Sequence, residues 1–149
     1  MRNSLLWAVA LLSWCACRDG QQPTAASSSA SASPEVPADF ITFYQQFHAD
    51  SVFQVQHISW PLAGQTTQAA PDGTLSAQPT YWERDEWRFQ RPVDFSTGEF
   101  KQQLLALEDQ YVVEIISYAQ ASHFALERRF MRRSDGAWEL VYYADMQER

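Results

Sequence analysis

The sequence predicts an α+β fold in which helices pack on one face of a curved antiparallel sheet that ends in a C-terminal three-stranded meander. Aromatic residues recur at helical spacing early in the folded part, at Phe40, Phe43, Tyr44 and Phe47. The last third of the chain instead carries β-branched and aromatic runs separated by turn signals. Because a helical stripe and an apolar sheet face can bury each other, we expect two layers.

The N-terminal segment is typical of a bacterial export signal. A basic start at Arg2 precedes an apolar run from 4 to 14, which is too short to span a bilayer as a helix. Cys17 follows the small Ala16, as in lipoprotein signals, whereas Cys15 follows a bulky tryptophan. We therefore expect residues 1–16 to be a signal peptide and Cys17 to carry the lipid. Simple secretory cleavage and an uncleaved anchor are the alternatives.

The next segment, 17–36, is predicted to be a disordered Ser/Ala-rich tether. It has no large apolar residue before Val36, so it cannot bury enough surface to offset the entropy of ordering. A flexible chain of this length reaches on the order of 25 Å. Residues 37–149 are expected to form a single domain, which after processing holds no cysteine and depends on packing for its stability.

The charge of the chain excludes some partners. The formal net charge is −7, which argues against nucleic acid and against adsorption of the domain itself to anionic lipid. The signal segment and Cys17 predict a protein of the bacterial cell envelope, held on the periplasmic side or at the cell surface by its N-terminal lipid.

The first elements of the domain are predicted from spacing. The aromatic stripe gives a helix from Pro37 to Asp50 whose apolar face is core. Residues 51–62 alternate and change parity near His57, which predicts a bulged strand. Residues 63–79 are polar and are expected to form a long surface loop with a turn at 71–73. Residues 80–89 fit either a short helix or an edge strand.

The second half opens with a helix signal and continues with strands. Ser96 and Glu99 form a capping-box pattern, which predicts a helix that continues to about Glu108. The segment 111–118 is apolar on both parities, which predicts a central strand covered on both sides.

The closing segment, 123–145, is predicted to be a long β-hairpin. A three-residue loop at 134–136 puts the most apolar residues on one face, and Gly136 suits the positive φ that such a loop needs. In this register Arg128 lies on the apolar face, across from Tyr142. A buried arginine requires a counter-charge, so we expect either an ion pair with Asp50 or Glu114, or an anion-binding floor in a pocket.

Two blocks of the sequence resemble a known family. The first block contains Phe40, Phe43, Phe47, Asp50, Phe53, Gln54, Ile58, Pro61 and Leu62, and the second covers residues 130–145. Both resemble bacterial envelope lipoproteins of the Bacteroidota type, known as domain of unknown function 4348. The second block also resembles the wider superfamily that is similar to nuclear transport factor 2 and to cystatins. The resemblance implies a domain without an assigned activity, and the superfamily often has a cone-shaped pocket.

The function predicted from the sequence is a lipid-anchored envelope domain that binds a small molecule or a protein partner. The candidate ligand-binding residues are Arg128, Tyr142, Trp60, Trp82 and His57, chosen for aromatic surface and for the one charge on the apolar face. The three histidines are scattered and no metal or catalytic motif occurs, so we expect no metal and no cofactor. The alternatives are an enzyme with Asp50 or Asp145 as base and a tyrosine as oxyanion donor, and a purely structural lipoprotein.

Overall fold

The structure is a computed structural model and describes residues 35–148. Two helices precede and cover a six-stranded mixed sheet, which confirms the α+β class. The helices are α1 (Ala38–Ala49) and α2 (Ser51–Gln56), and a 3₁₀ turn spans Phe95–Thr97. The strands are β1 (Ile58–Ala69), β2 (Leu75–Trp82), β3 (Phe100–Leu107), β4 (Tyr111–Tyr118), β5 (Phe124–Arg132) and β6 (Trp138–Glu148). The predicted signal peptide, Cys17 and nearly all of the tether lie outside the described residues.

Helix α1 packs its aromatic stripe on the sheet, as predicted. Phe40, Phe43 and Phe47 are buried, and the ring of Phe40 meets Phe130 and Trp138 edge-on at 5.3 and 5.1 Å. Edge-to-face pairs of this kind add to the free energy gained by burying apolar area. The stripe therefore forms the core between the two layers.

The strand predicted to begin at Ser51 is wrong in its first half. The Asp50 carboxylate accepts the backbone N–H groups of Val52 and Phe53, so Asp50 caps a second helix instead. Strand β1 begins only at Ile58. The parity change near His57 marks this helix-to-strand junction.

The predicted surface loop at 63–79 is also wrong, because β1 runs to Ala69 and pairs with β2 from Leu62↔Trp82 to Ala69↔Leu75. The turn at 71–73 does lie between them, where the Asp72 carboxylate accepts the Thr74 N–H at 2.9 Å. Polar residues fill this hairpin because β2 is an edge strand with mostly exposed side chains.

The helix predicted from Ser96 is a third error. Asp94 caps only the 3₁₀ turn, and Gly98, at φ 70°, ends it in the left-handed region. The chain then enters β3, which pairs with β4 from Phe100↔Tyr118 to Leu107↔Tyr111. The local capping signal accounts for the single helical turn. The residues after it form a strand because they pair with β4.

The sheet has the order β2-β1-β6-β5-β4-β3. All neighbours are antiparallel except β1 and β6, which run parallel, so the sheet is mixed rather than fully antiparallel. The predicted C-terminal meander is present as β4-β5-β6. Strand β4 lies next to the edge strand, and its buried residues Val112, Glu114 and Ile116 all face the helices. Its other face is only half-buried, so the prediction of a strand covered on both sides is wrong.

The β5–β6 hairpin has the predicted three-residue loop. The Arg133 N–H donates to Ala137 O at 2.8 Å, and Gly136 has φ 87°. Further along, a β-bulge shifts the pairing from Phe130↔Leu140 to Arg129↔Tyr142. The extra residue reverses the faces of β6 beyond it, so Tyr143 rather than Tyr142 faces the helices.

Candidate functional site

The segment of residues 83–94 forms no helix or strand, and Gln90 on it is hydrogen-bonded to side chains of α1 and α2. We call it the strap. It follows β2 and precedes the 3₁₀ turn, and it carries Trp87 and Gln90. Its position is fixed by side chains of the helices, because it belongs to no strand that could hold it in place.

Gln54 on α2 fastens the strap. Its side chain is fully buried, and its Nε2 donates to Phe47 O at 2.9 Å and to Gln90 O at 3.0 Å. Its Oε1 accepts the Trp87 indole N–H at 3.0 Å and the Gln90 backbone N–H at 2.8 Å. Both donors and both acceptor positions of the amide are thus occupied, which orients it uniquely.

A pocket of about 380 Å³ opens between the strap and the sheet. Its walls are aromatic: the Tyr143 ring meets Trp82 at 5.5 Å and Trp87 at 5.2 Å, both nearly perpendicular. The remaining lining residues are polar, namely Glu86, Arg88, Gln90 and Asp145. The pocket therefore combines three aromatic side chains with four polar ones, and small-molecule sites use such polar groups to orient a ligand against apolar surface. We call this cavity the aromatic pocket.

Gly64 allows one wall of the aromatic pocket to form. The Trp82 indole N–H crosses β1 to donate to Tyr143 O at 3.2 Å. A Cβ added at Gly64 would lie 1.9 Å from that same oxygen and 2.7 Å from Trp82 Nε1. No residue with a side chain fits between the two strands there, so glycine is required for this close approach.

A buried ion pair lies behind the aromatic pocket. Arg128 Nη1 contacts Glu114 Oε2 at 2.9 Å, and the two side chains are 2% and 0% exposed. The Tyr44 hydroxyl and the Gln102 amide both donate to Glu114 Oε1. Burial, and then the negative charge of Glu114, raise the pKa of Tyr44 well above its ordinary value. Of the two predicted partners of Arg128, the structure shows Glu114.

Gln90 connects this ion pair to the pocket. Its side-chain Oε1 lies 3.3 Å from Arg128 Nη2, while the same residue lines the aromatic pocket. Its backbone oxygen accepts from His48 Nδ1 at 2.8 Å. Burial and the nearby Arg128 charge lower the pKa of His48 to about 4, so this imidazole is neutral at pH 7.

The other residues predicted for the site are placed as follows. Trp82 forms a wall of the aromatic pocket. Trp60 does not line the pocket but meets the ring of Trp87 edge-on at 5.8 Å, and its indole N–H donates to Val55 O. His57 ends α2 and stacks on Phe53. The prediction that Tyr142 lies across from Arg128 is wrong, because the β6 bulge turns Tyr142 to the other face, under the Arg129 guanidinium.

Neither of the two carboxylates proposed as bases is buried. Asp50 is exposed and caps α2. Asp145 lines the aromatic pocket but is also exposed, and its Oδ1 accepts the Met146 N–H. Within residues 35–148 no group of three or more His, Cys, Asp or Glu side chains could hold a metal ion. In the same range no helix is long and apolar enough to cross a membrane.

Comparison with known proteins supports the resemblance seen in the sequence. The family model for a domain of unknown function, DUF4348, matches residues 29–145. The chain belongs to the DUF4348 family. No curated protein matches the sequence.

Of two solved structures that are similar to this DUF4348 domain, the first shares its fold. A cystatin-like protein from Bacteroides caccae ATCC 43185 is 19% identical, with a TM-score of 0.55 over 74% of this chain and 79% of that one. An NTF2-like protein from Bacteroides fragilis NCTC 9343 is 21% identical, with a TM-score of 0.48 over 71% of this chain. The chain spans 46% of the length of that second protein. At such identities the likeness concerns the fold alone.

The residues of the aromatic pocket that were not predicted as site residues include Trp87, Gln90 and Tyr143. Trp87 and Gln90 lie on the strap, where no periodic pattern indicates which side chains point inward. Tyr143 depends on a bulge that only the pairing of β5 with β6 reveals. The one available signal was compositional, since Trp82 and Trp87 are close together in a segment otherwise rich in charge.

Proposed function

We propose that this DUF4348 chain is a lipid-anchored domain of the bacterial cell envelope that binds a small molecule in the aromatic pocket. The observation that carries the proposal is the pocket itself, in which Trp82, Trp87 and Tyr143 line a cavity of about 380 Å³ that is open to solvent on one side. This volume lies within the usual range of ligand sites, roughly 300–1,000 Å³. The neighbouring Gln54 bonds hold the strap wall in place before any ligand arrives.

Chemical-shift mapping of the ¹⁵N-labelled full chain tests the pocket. The probes are phenylacetamide, phenylacetate and tryptamine, which carry an aromatic ring with a neutral, negative or positive head. We expect at least one probe to shift the indole N–H signals of Trp82 and Trp87. Replacing Trp87 with leucine removes a wall, and the dissociation constant should rise by about tenfold, which corresponds to about 1.4 kcal/mol.

Tyr81→Leu is the matched control, because Tyr81 is an aromatic residue on the same strand end but is 67% exposed and outside the pocket. Its affinity for the probes should equal that of the unchanged protein. If no probe shifts either indole signal, or if Trp87→Leu binds as tightly as Tyr81→Leu, the small-molecule function is wrong. A protein partner would then be the remaining binding function.

The anchor is supported by the sequence alone, through the apolar run from 4 to 14 and the Ala16-Cys17 step. Mass spectrometry of the protein isolated from bacterial membranes should show a mature chain that begins at an acylated Cys17. Cys17→Ser should move the protein from the membrane fraction to the soluble fraction. An unmodified mature N-terminus would exclude lipid anchoring at this residue, and a Cys17→Ser variant that stays in the membrane fraction with its cleaved N-terminus would do the same.

A further inference from the structure

Arg128 is incompletely hydrogen-bonded along one edge. A guanidinium carries five N–H donors in a fixed planar fork, and Nε–H and one Nη2–H point in the same direction. Nη1 pairs with Glu114. On the other edge of the guanidinium, the buried Nε has no hydrogen-bond partner. Nη2 there contacts only Gln90 Oε1, at 3.3 Å. The Nε–Nη2 edge of Arg128 can donate to two oxygens in parallel, but it contacts only one, the side-chain oxygen of Gln90.

The Gln90 side chain is free to leave this edge while its backbone stays. The backbone N–H and carbonyl are bonded to Gln54 and His48 inside the protein. Apart from Arg128, the side chain makes one bond, from Nε2 to Arg88 O at 3.1 Å, and it lines the aromatic pocket. Rotation of Gln90 about its side-chain bonds would connect the pocket with the Nε–Nη2 edge of Arg128 without moving the strap.

A carboxylate is the group that fits this edge. Its two oxygens accept two parallel N–H bonds from an arginine fork, and such charge-assisted pairs are stronger than bonds to a neutral amide. The Glu114 carboxylate leaves the edge available, since its Oε2 takes Nη1 and its Oε1 is occupied by Tyr44 and Gln102. Building on the proposed function, we propose that the ligand of the aromatic pocket carries a carboxylate that displaces the Gln90 side chain and binds Arg128.

The charges at the pocket rim modify this affinity in a defined direction. Glu86 and Asp145 line the aromatic pocket, and Arg88 is the single cation among the lining residues. Their repulsion weakens binding of a simple anion, and a ligand with a positive group nearer the rim would gain from them. Glu86→Gln, an exposed change, should therefore tighten binding of a plain carboxylate and leave an uncharged analogue unaffected.

The test compares phenylacetate with phenylacetamide, which have the same shape and differ in charge, by titration of the full chain monitored at the Trp82 and Trp87 indole signals. We expect phenylacetate to bind at least about tenfold more tightly, because its carboxylate offers one charged oxygen to each of Nε and Nη2, whereas the amide has a single neutral acceptor oxygen. Gln90→Glu places the protein's own carboxylate on Arg128, so this preference should disappear. Arg128→Lys keeps the charge but removes the fork, and should lose the preference too.

Gln103→Glu is the matched control, because Gln103 is an exposed glutamine on β3 at the position next to the helix-facing Gln102, and therefore on the opposite face of the sheet. It should keep the preference for phenylacetate. If Arg128→Lys fails to fold, Gln90→Glu still decides, since Gln90 is only half-buried. Equal affinity for the two probes, or a preference unaffected by Gln90→Glu, overturns the carboxylate proposal and leaves the pocket function standing. Failure of both probes to bind overturns this proposal, and the pocket function with it if tryptamine also fails.

Discussion

At the scale of single residues, Arg128 lies at the centre of the polar part of the core, where it contacts Glu114 and Gln90. Its position between the helix-facing Leu126 and Phe130 follows from period-two alternation alone, and so does Glu114 on the neighbouring strand, directly across at Glu114↔Arg128. The sequence therefore indicates both members of the ion pair. Gln90 and His48 reach the same site from the strap and from α1, and nothing in their local sequence shows this. Contacts between segments distant along the chain leave no periodic signal to read.

His48 makes the stability of the fold depend on pH. Its pKa in the folded protein is about 4, below its ordinary value of 6.5, because burial and the Arg128 charge disfavour the imidazolium. Glu114 and the Tyr44 hydroxyl are the other ionisable groups of this cluster. The unfolded chain takes up a proton that the folded chain does not. Stability is thus fully present above about pH 6.5 and is lost as the pH falls toward about 4.

This loss can be measured by urea unfolding at several pH values. Between pH 7 and pH 4 the contribution of His48 is on the order of 3 kcal/mol, from about 1.4 kcal/mol per unit of pKa. The variant His48→Gln should show a shallower fall of unfolding free energy over this range than the unchanged protein. His123, on the loop before β5, provides the matched control, and His123→Gln should keep the full slope. Equal slopes for all three proteins would contradict the role of His48.

At the scale of elements, the sequence predicts those helices and turns whose residues carry a local pattern. It does not predict elements whose conformation depends on pairing with a distant strand. Helix α1 and the β5–β6 loop were predicted because Phe40, Phe43 and Phe47 repeat at helical spacing and Gly136 supplies a positive φ. Strand β3 was predicted as a helix because Ser96 and Glu99 satisfy a local capping pattern. Its eight pairs with β4, which lie beyond the cap, outweigh that pattern.

The strap is the element whose order depends most on one side chain. Replacing Gln54 with leucine leaves the Phe47 carbonyl, the Gln90 N–H and the Trp87 indole N–H without this partner, while the Gln90 carbonyl keeps only His48. Buried groups left unpaired cost about 1–3 kcal/mol each, less where water reaches them, so we expect a loss of at least about 2 kcal/mol. Hydrogen exchange should then show faster exchange throughout residues 83–94.

Gln45→Leu is the control for this change, since Gln45 is an exposed glutamine on α1. It should leave exchange of the strap amides unaltered. If the amide of Gln90 stays protected in Gln54→Leu, the strap is held by something other than Gln54, and the account of how the aromatic pocket is preformed is incorrect.

At the scale of the whole molecule, the domain places its pocket and its polar core on the same side of one sheet. Helices α1 and α2 cover that side, and the strap completes the cover between β2 and β3. The aromatic pocket is the outer part of this space and the Arg128–Glu114 pair is the inner part, with Gln90 between them. The fold class and this general plan were accessible from sequence, whereas the strap that shapes the pocket was not. Its conformation is set by side-chain bonds from distant elements rather than by any repeat.

A crystal structure of the full chain with bound phenylacetate would show whether the aromatic pocket leads to Arg128. We expect the phenyl ring among Trp82, Trp87 and Tyr143, both carboxylate oxygens about 3 Å from Nε and Nη2 of Arg128, and the Gln90 side chain turned away. A probe bound elsewhere on the protein, or one in the aromatic pocket with Gln90 still on Arg128, would contradict the claim that the pocket leads to Arg128.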